Sequence, residues 1–258
     1  MRKQTASIRT EIAWSDRKRI VVRGLDLPSQ ILGKVNLGDM AYLEIFGRLP
    51  EPNESTVFNA LAVTLVEHGL TPSVLATRMT YLGAPESMQA AVAAGLCGLG
   101  TVFAGSMEEA AKILQEAAPA DDVDATAAKI VADYRSRKRI LPGLGHNLHK
   151  DGDPRTPRLF AIAEDNGFSG RYVQLMQALE REAQRAMGRR LPINATGAIA
   201  AIGSELGLSW VAMRGLAVMA RAIGLVAHIL EEARSPMAKE IWDHCEADAT
   251  SHFDKGDA

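Results

Sequence analysis

Leu141-Pro142-Gly143-Leu144-Gly145-His146-Asn147-Leu148-His149-Lys150-Asp151-Gly152-Asp153-Pro154-Arg155-Thr156-Pro157-Arg158-Leu159 is the stretch on which the reading of this chain turns. Pro142-Gly143-Leu144-Gly145 predicts a turn in which missing side chains let a ligand lie against backbone amides. His146 follows at once and presents a titratable imidazole there. Lys150 and Arg155 add two cations. Asp153-Pro154 sets a second turn before a helix that Thr156-Pro157 opens with a hydroxyl cap and a proline in the first turn. An imidazole among fixed cations suits a multiply anionic ligand. Gly143 and Gly145 lack the third glycine and the preceding strand of a dinucleotide fingerprint. On pattern alone, the turn serves equally as a structural loop.

Around this stretch, helical spacing dominates. Val57, Ala60, Leu61, Thr64 and Leu65 fall on one stripe within Thr56 to Val66, and Ala127, Ile130, Val131 and Tyr134 repeat it within Asp124 to Arg139. Ser106-Met107-Glu108-Glu109 predicts a capping box. Leu175, Met176, Leu179 and Ala183 mark a further helix, and Ser209 caps a long apolar one running to about Glu232. Only Arg19 to Arg23 resembles a strand, so the chain reads as all-α. Ala90 to Gly100 and Ala195 to Gly207 are rich in small residues, at a cost of about 0.5–1 kcal/mol per helical glycine, which predicts close helix pairs inside the fold or across a dimer.

The totals exclude several classes. A chain of 258 residues, 47% hydrophobic and 23% charged, can bury a sizeable core. A net charge of −2 with 3 Trp, 4 Tyr and 6 Phe argues against a nucleic-acid partner or an anionic membrane surface. Cys97 and Cys245 are too few for a disulfide framework or a zinc site, and Cys97 reads as a reduced, buried thiol. No metal-ligand cluster is visible. The first residues lead into no apolar stretch of signal-peptide length, and no run approaches the roughly 20 apolar residues that span a bilayer. A cytoplasmic location is the expectation.

The string from Pro142 to Arg155 resembles the citrate synthase signature, a Pro-Gly-x-Gly-His turn followed by Lys and then Asp-Pro-Arg. The resemblance extends over nearly the whole chain. Arg23-Gly24-Leu25-Asp26 and Met40 to Pro50 look like the family's entry into its helical domain, and Glu67-His68-Gly69-Leu70-Thr71-Pro72-Ser73 like its oxo-acid-contacting segment. Arg221-Ala222-Ile223-Gly224, His228-Ile229-Leu230-Glu231 and Arg234 resemble the helix that brings arginines to substrate carboxylates. In length and wording the chain is most similar to citryl-CoA lyases and to the citrate synthase-like portion of ATP-citrate lyase, full-length citrate synthases being longer. The resemblance implies a large helical domain over 1–105 and 207–258, a smaller CoA-binding domain over 106–206, and a homodimer or higher homo-oligomer. It implies no permanently bound cofactor, a coenzyme A thioester as substrate or product, and a di- or tricarboxylic acid.

Two positions depart from the pattern. Phe103 stands where citrate synthases carry a first catalytic histidine, as in ATP-citrate lyase, which points to the lyase side. Thr196, in Asn194-Ala195-Thr196-Gly197, stands where the family's catalytic aspartate closes an Asn-Val-Asp string. A threonine hydroxyl is no carboxylate base near neutral pH, although it can hold a water or a thioester oxygen. The implied roles are His146 and Thr196 in catalysis, His68, Arg155, Arg221 and Arg234 on the acid, and Pro142, Gly143, Gly145 and Lys150 on CoA, with amides near Gly143 and Gly145 holding the enolate. Arg221 also stands out on its own, since a guanidinium within the apolar run Leu216 to Ile229 needs an anionic partner. Arg135 to Arg139 and Arg189-Arg190 suit either CoA phosphates or a helix C-terminus. The expected activity is retro-aldol cleavage of citryl-CoA or a related 3-hydroxyacyl-CoA. The alternatives are a condensing acyltransferase using another oxo acid, or a non-catalytic CoA-binding paralogue.

Overall fold

The computed structural model describes residues 8–117, 121–145 and 151–253. It begins with a small antiparallel sheet, β1 (Ala13–Ser15), β2 (Ile20–Val22) and β3 (Leu25–Asp26), in that order. Asp26 then accepts from the Ser29 N–H and starts a π-helical turn, Leu27–Ile31. Val22, Ile31 and Leu43 bury one another in a small apolar cluster of their own. The strand expected near Arg19 to Arg23 is β2. Its partners β1 and β3 are too short to carry an alternating pattern and escape sequence reading.

The rest of the described chain is helical: α1 (Leu37–Phe46), α2 (Pro52–Val66), α3 (Pro72–Gly83), α4 (Met88–Cys97), α5 (Ala104–Ala117), α6 (Val123–Ser136), α7 (Arg155–Asp165), α8 (Arg171–Met187), α9 (Ala195–Glu205), α10 (Trp210–Arg234) and α11 (Ala238–Ala249). The mostly helical class read from the sequence is the one observed. Local chemistry sets many of the ends. Asn36 caps α1, which Gly47 terminates at φ 75°. Glu51 and Glu54 close a capping box on α2. Ser209 caps α10, as its sequence predicts.

Helix α9 organises the core. Ala195 and every residue from Gly197 to Ser204 are buried, so the helix is apolar all round and needs neighbours on every side. Helices α2, α5, α7, α8 and α10 supply them. Small residues permit the close approaches expected of them, inside the fold. A Cβ at Gly95 would stand 1.9 Å from Thr77 Oγ1, and one at Gly224 would stand 2.2 Å from the Val66 carbonyl.

Several expectations are corrected. Ser106 does not cap a helix: α5 starts at Ala104, and Ser106 Oγ donates to the Phe103 carbonyl at 2.8 Å. Thr156 does not cap α7, which starts at Arg155 after Pro154, and its hydroxyl donates instead to Ile193 O at 3.1 Å. Cys97 is exposed rather than buried, because α4 turns Ala91 and Gly95 to the core and leaves its last residue outside. Helix α10, at 25 residues, is long and apolar enough by length and composition to cross a membrane. In this fold it packs against α2, α3, α4 and α5 and buries Arg221 and Glu232.

Candidate active site

The glycine turn is stitched to the start of α9. Leu144 and Ile193 form an isolated antiparallel bridge. The Gly145 N–H donates to Pro192 O at 2.7 Å, and the Asn194 N–H to Gly143 O at 3.0 Å. Asn194, the cap of α9, also donates through Nδ2 to Gly145 O at 2.6 Å. Gly143 and Gly145 both take left-handed φ values, 82° and 73°. At Gly143 a side chain is also sterically impossible, since a Cβ would lie 2.5 Å from Met176 Cε and 2.8 Å from Gly197 Cα. One correction follows for the implied amide cradle. The Gly145 N–H is spent on Pro192 and is not open to a thioester oxygen. His146 and Lys150, with the neighbouring His149, lie outside the described residues.

Thr196 sits in the first turn of α9, half-buried. Its hydroxyl is 2.6 Å from Asn194 Oδ1, which also accepts from the Gly197 N–H at 3.0 Å. With that acceptor saturated from two sides, the Thr196 hydroxyl donates to it and keeps its lone pairs open. Ser106 Oγ lies 3.5 Å away and ties the turn carrying exposed Phe103 to the same place.

Asp153, read from the sequence as a turn residue only, is the junction between α7 and α9. Its fully buried carboxylate accepts from Arg155 Nε at 2.9 Å and Nη2 at 2.7 Å, and from the Ala195 N–H at 3.0 Å. Burial alone would raise its pKa. The Arg155 guanidinium and the amides of Arg155 and Ala195 outweigh burial and hold it far below the usual carboxylate range. Asp153 is therefore ionised at neutral pH and occupied on both oxygens. It does not substitute for the carboxylate that Thr196 replaces.

Arg221 on α10 is 9% exposed, and its Nε and Nη1 are buried without a hydrogen-bond partner among the described residues. Among the described residues its ion-pair partner is Glu67, with Oε1 3.8 Å from Nη1. Burial lowers its pKa, Glu67 opposes this, and the charge of Arg155 lowers it further. His68 is exposed on the same α2–α3 connection as Glu67, its N–H donating to Glu67 Oε1 at 2.8 Å. Arg234 is not brought to this cluster. It is exposed at the last residue of α10, thirteen positions and about 20 Å along the axis from Arg221. Among the cationic runs, Arg139 pairs with Glu109 and Arg137 with Asp133. The roles of Glu67, Asn194 and Asp153 were missed; only the capping string Asn194 to Gly197 offered a local signal.

What the arrangement offers is a rigid glycine turn, the N-terminus of a buried helix bearing a hydroxyl, and two guanidinium groups with unspent donors. That set can hold a carboxylate and a carbonyl oxygen side by side.

Comparison with known proteins agrees with the fold. Residues 40–242 match the family model for the citrate synthase C-terminal domain. The solved structure of citryl-CoA lyase from Hydrogenobacter thermophilus is 33% identical, with a TM-score of 0.81 and 88% of each chain covered. ATP citrate lyase from Methanothrix soehngenii, solved in complex with citrate and coenzyme A, is 22% identical with a TM-score of 0.74, covering 91% of this chain and 40% of that one, a likeness of fold. In sequence, ATP-citrate synthase beta chain protein 2 of Arabidopsis thaliana is 25% identical over 240 residues, 85% of this chain and 38% of that protein. The chain thus spans about two fifths of the length of these curated relatives.

Proposed function

The chain belongs to the citrate synthase family, and from that premise we propose that it is a carbon–carbon lyase. It cleaves citryl-CoA, or a related 3-hydroxyacyl-CoA, to acetyl-CoA and oxaloacetate or another oxo acid, and works as a homodimer. The observation that carries this reading is Arg221: a buried guanidinium with two nitrogens that make no hydrogen bond among the described residues, and only a 3.8 Å ion pair to Glu67, calls for an anionic ligand. In the proposed reaction Arg155 and Arg221 hold the carboxylates of the acid half. His146, bonded to Gly145, takes the proton of the substrate hydroxyl as the carbon–carbon bond breaks. The electron pair moves into the thioester as an enolate, whose oxygen accepts from a water held on the open lone pairs of Thr196, and a proton then quenches it to acetyl-CoA. Lys150 and the Pro142–Gly143 turn are assigned to the CoA moiety in this reading. The division into lobes at about 105 and 207 belongs to the same reading.

Thr196 gives a second reading its support, a CoA- and acid-binding paralogue without turnover. One experiment separates the two. Pure protein is incubated with citryl-CoA and related thioesters, and products are identified by mass spectrometry for wild type, Arg221→Met and Thr196→Asp. The lyase reading expects wild-type turnover and a loss of about 100-fold or more in kcat/KM for Arg221→Met, the range for truncating a charge-paired group. Turnover that appears only in Thr196→Asp would mean that the natural protein binds without cleaving.

A further inference from the structure

Arg78 is the largest fully buried side chain in the described structure, and nothing in the proposed reaction uses it. It projects from α3 into a polar chain beneath the acid site. Its Nη1 donates to Glu232 Oε2 at 2.7 Å, and its Nη2 reaches both Glu231 Oε2 and His228 Nδ1, the latter at 2.8 Å. Glu232 is itself fixed, its other oxygen accepting from the Met237 and Ala238 N–H groups at the start of α11.

The contact to His228 decides a protonation state. A guanidinium offers only donors and keeps its proton. Nδ1 of His228 must therefore accept, so the ring is neutral and carries its proton on Nε2. That nitrogen lies 3.0 Å from Glu67 Oε2, within ion-pair distance but off the line of a hydrogen bond. The other oxygen of Glu67 accepts from the His68 and Gly69 N–H groups at 2.8 and 2.7 Å and stands 3.8 Å from Arg221 Nη1. The backbone before Glu67 is already held, because Val66 O sits where a Cβ at Gly224 would be, one turn from Arg221. What remains to be fixed is the direction of the Glu67 carboxylate, and His228 faces it.

We propose that Arg78 and His228 are positioning residues for Arg221: Arg78 imposes the Nε2–H tautomer on His228, His228 orients Glu67, and Glu67 sets where the Arg221 guanidinium stands. This rests on the reading of Arg221 as a substrate-carboxylate ligand. Neither residue touches substrate. Both act through a chain that runs from the start of α11, across α3, to the acid site.

The test uses the full chain and a pair of substitutions with opposite expectations. Glutamine carries an acceptor and a donor spaced like the two ring nitrogens, so His228→Gln preserves the relay. Leucine of similar bulk carries neither. His228→Gln should stay within about threefold of wild type in Kd for oxaloacetate and in KM for citryl-CoA. His228→Leu should weaken both about tenfold while kcat changes less, since displacing a ligand-binding cation by a fraction of an ångström acts first on binding. Nitrogen-15 NMR of the imidazole should show a protonated Nε2 and a bare Nδ1 in wild type. Arg78→Met should lose that signature, and where it fails to fold, the His228 pair still decides. Equal behaviour of the Gln and Leu variants, or an Nδ1–H ring in wild type, overturns the relay. Oxaloacetate binding without turnover of any thioester sinks the lyase reading but leaves the relay to be judged by Kd and tautomer. No oxo-acid binding by wild type overturns both.

Discussion

Gly143 shows how much of the site hangs on the absence of single atoms. Its φ of 82° disfavours any L side chain, and its missing Cβ leaves room for Met176 Cε and Gly197 Cα. Gly197 reciprocates, since a Cβ there would lie 2.4 Å from Gly143 O. The turn and the first turn of α9 touch backbone to backbone, and that contact sets where Thr196 stands relative to the chain leading to His146. Gly143→Ala should therefore cost about 2 kcal/mol or more, combining left-handed strain with overpacking against backbone that cannot retreat. Urea denaturation of the full chain measures it, and a midpoint equal to that of wild type would contradict the tight apposition. Gly145 is the internal comparison. Its φ is also positive, but among the described residues a Cβ would meet only Leu191 Cδ2 at 3.5 Å, so Gly145→Ala should show the strain alone and a smaller loss.

Helix ends carry most of the remaining site chemistry, and they explain which parts could be read from the sequence. The glycine turn, the Asp153-Pro154-Arg155 string and an arginine inside an apolar run are local patterns, and each emerged from residues adjacent in the chain. The Arg78–Glu232 and Arg78–His228 contacts join residues 154 and 150 positions apart. No periodicity announces such pairs, because they exist only once α3 packs on α10. Asp153 failed differently. Its local reading as a turn residue was sound, but its carboxylate also serves the first N–H of α9, 42 residues on. Ser106 and Thr156 looked like caps and were instead captured by carbonyls nearby. At the start of α2, by contrast, local and tertiary chemistry agree. Glu54 closes the capping box and pairs with Arg48 Nη1 and Nη2 at 2.7 and 2.6 Å. The Arg48 guanidinium, against burial, draws Glu54 from 4.5 to about 2. A folded pKa below the unfolded one means stability that is present above pH 4.5 and lost as pH falls toward 2. Because Arg48 is half exposed, solvent screening reduces the effect to about 1 kcal/mol. Glu54→Gln should be less stable than wild type by that amount at pH 7, and the gap should close between pH 4.5 and 2. A gap that persists at pH 2 would assign the loss to packing rather than charge.

The proposed homodimer makes a demand on the molecule as a whole. Helices α3, α4 and α10 pack on one another, yet each leaves large apolar side chains uncovered: Leu82 at the end of α3, Met88 at the start of α4, and Ile223 and Leu230 on α10. Ile223 and Leu230 are seven positions apart and so lie two turns along one stripe of α10. That stripe faces away from Arg221, Leu225 and Glu232, which are buried in the single chain. Scattered exposed hydrophobes are ordinary, but a repeated stripe on a helix whose opposite face forms the core points to a second partner surface. The same helix carries Arg221 on its buried side, so whatever seats α10 also seats the proposed carboxylate clamp. Replacing Ile223 and Leu230 together by glutamate puts two charges where the partner would be and leaves the core side untouched. Sedimentation velocity should find a dimer for wild type and a monomer for the double variant, with far-ultraviolet circular dichroism unchanged. Were the double variant to remain a dimer of wild-type stability, the interface would have to lie on another face of the molecule. A wild-type chain that sediments as a monomer would remove the dimer from the proposal altogether.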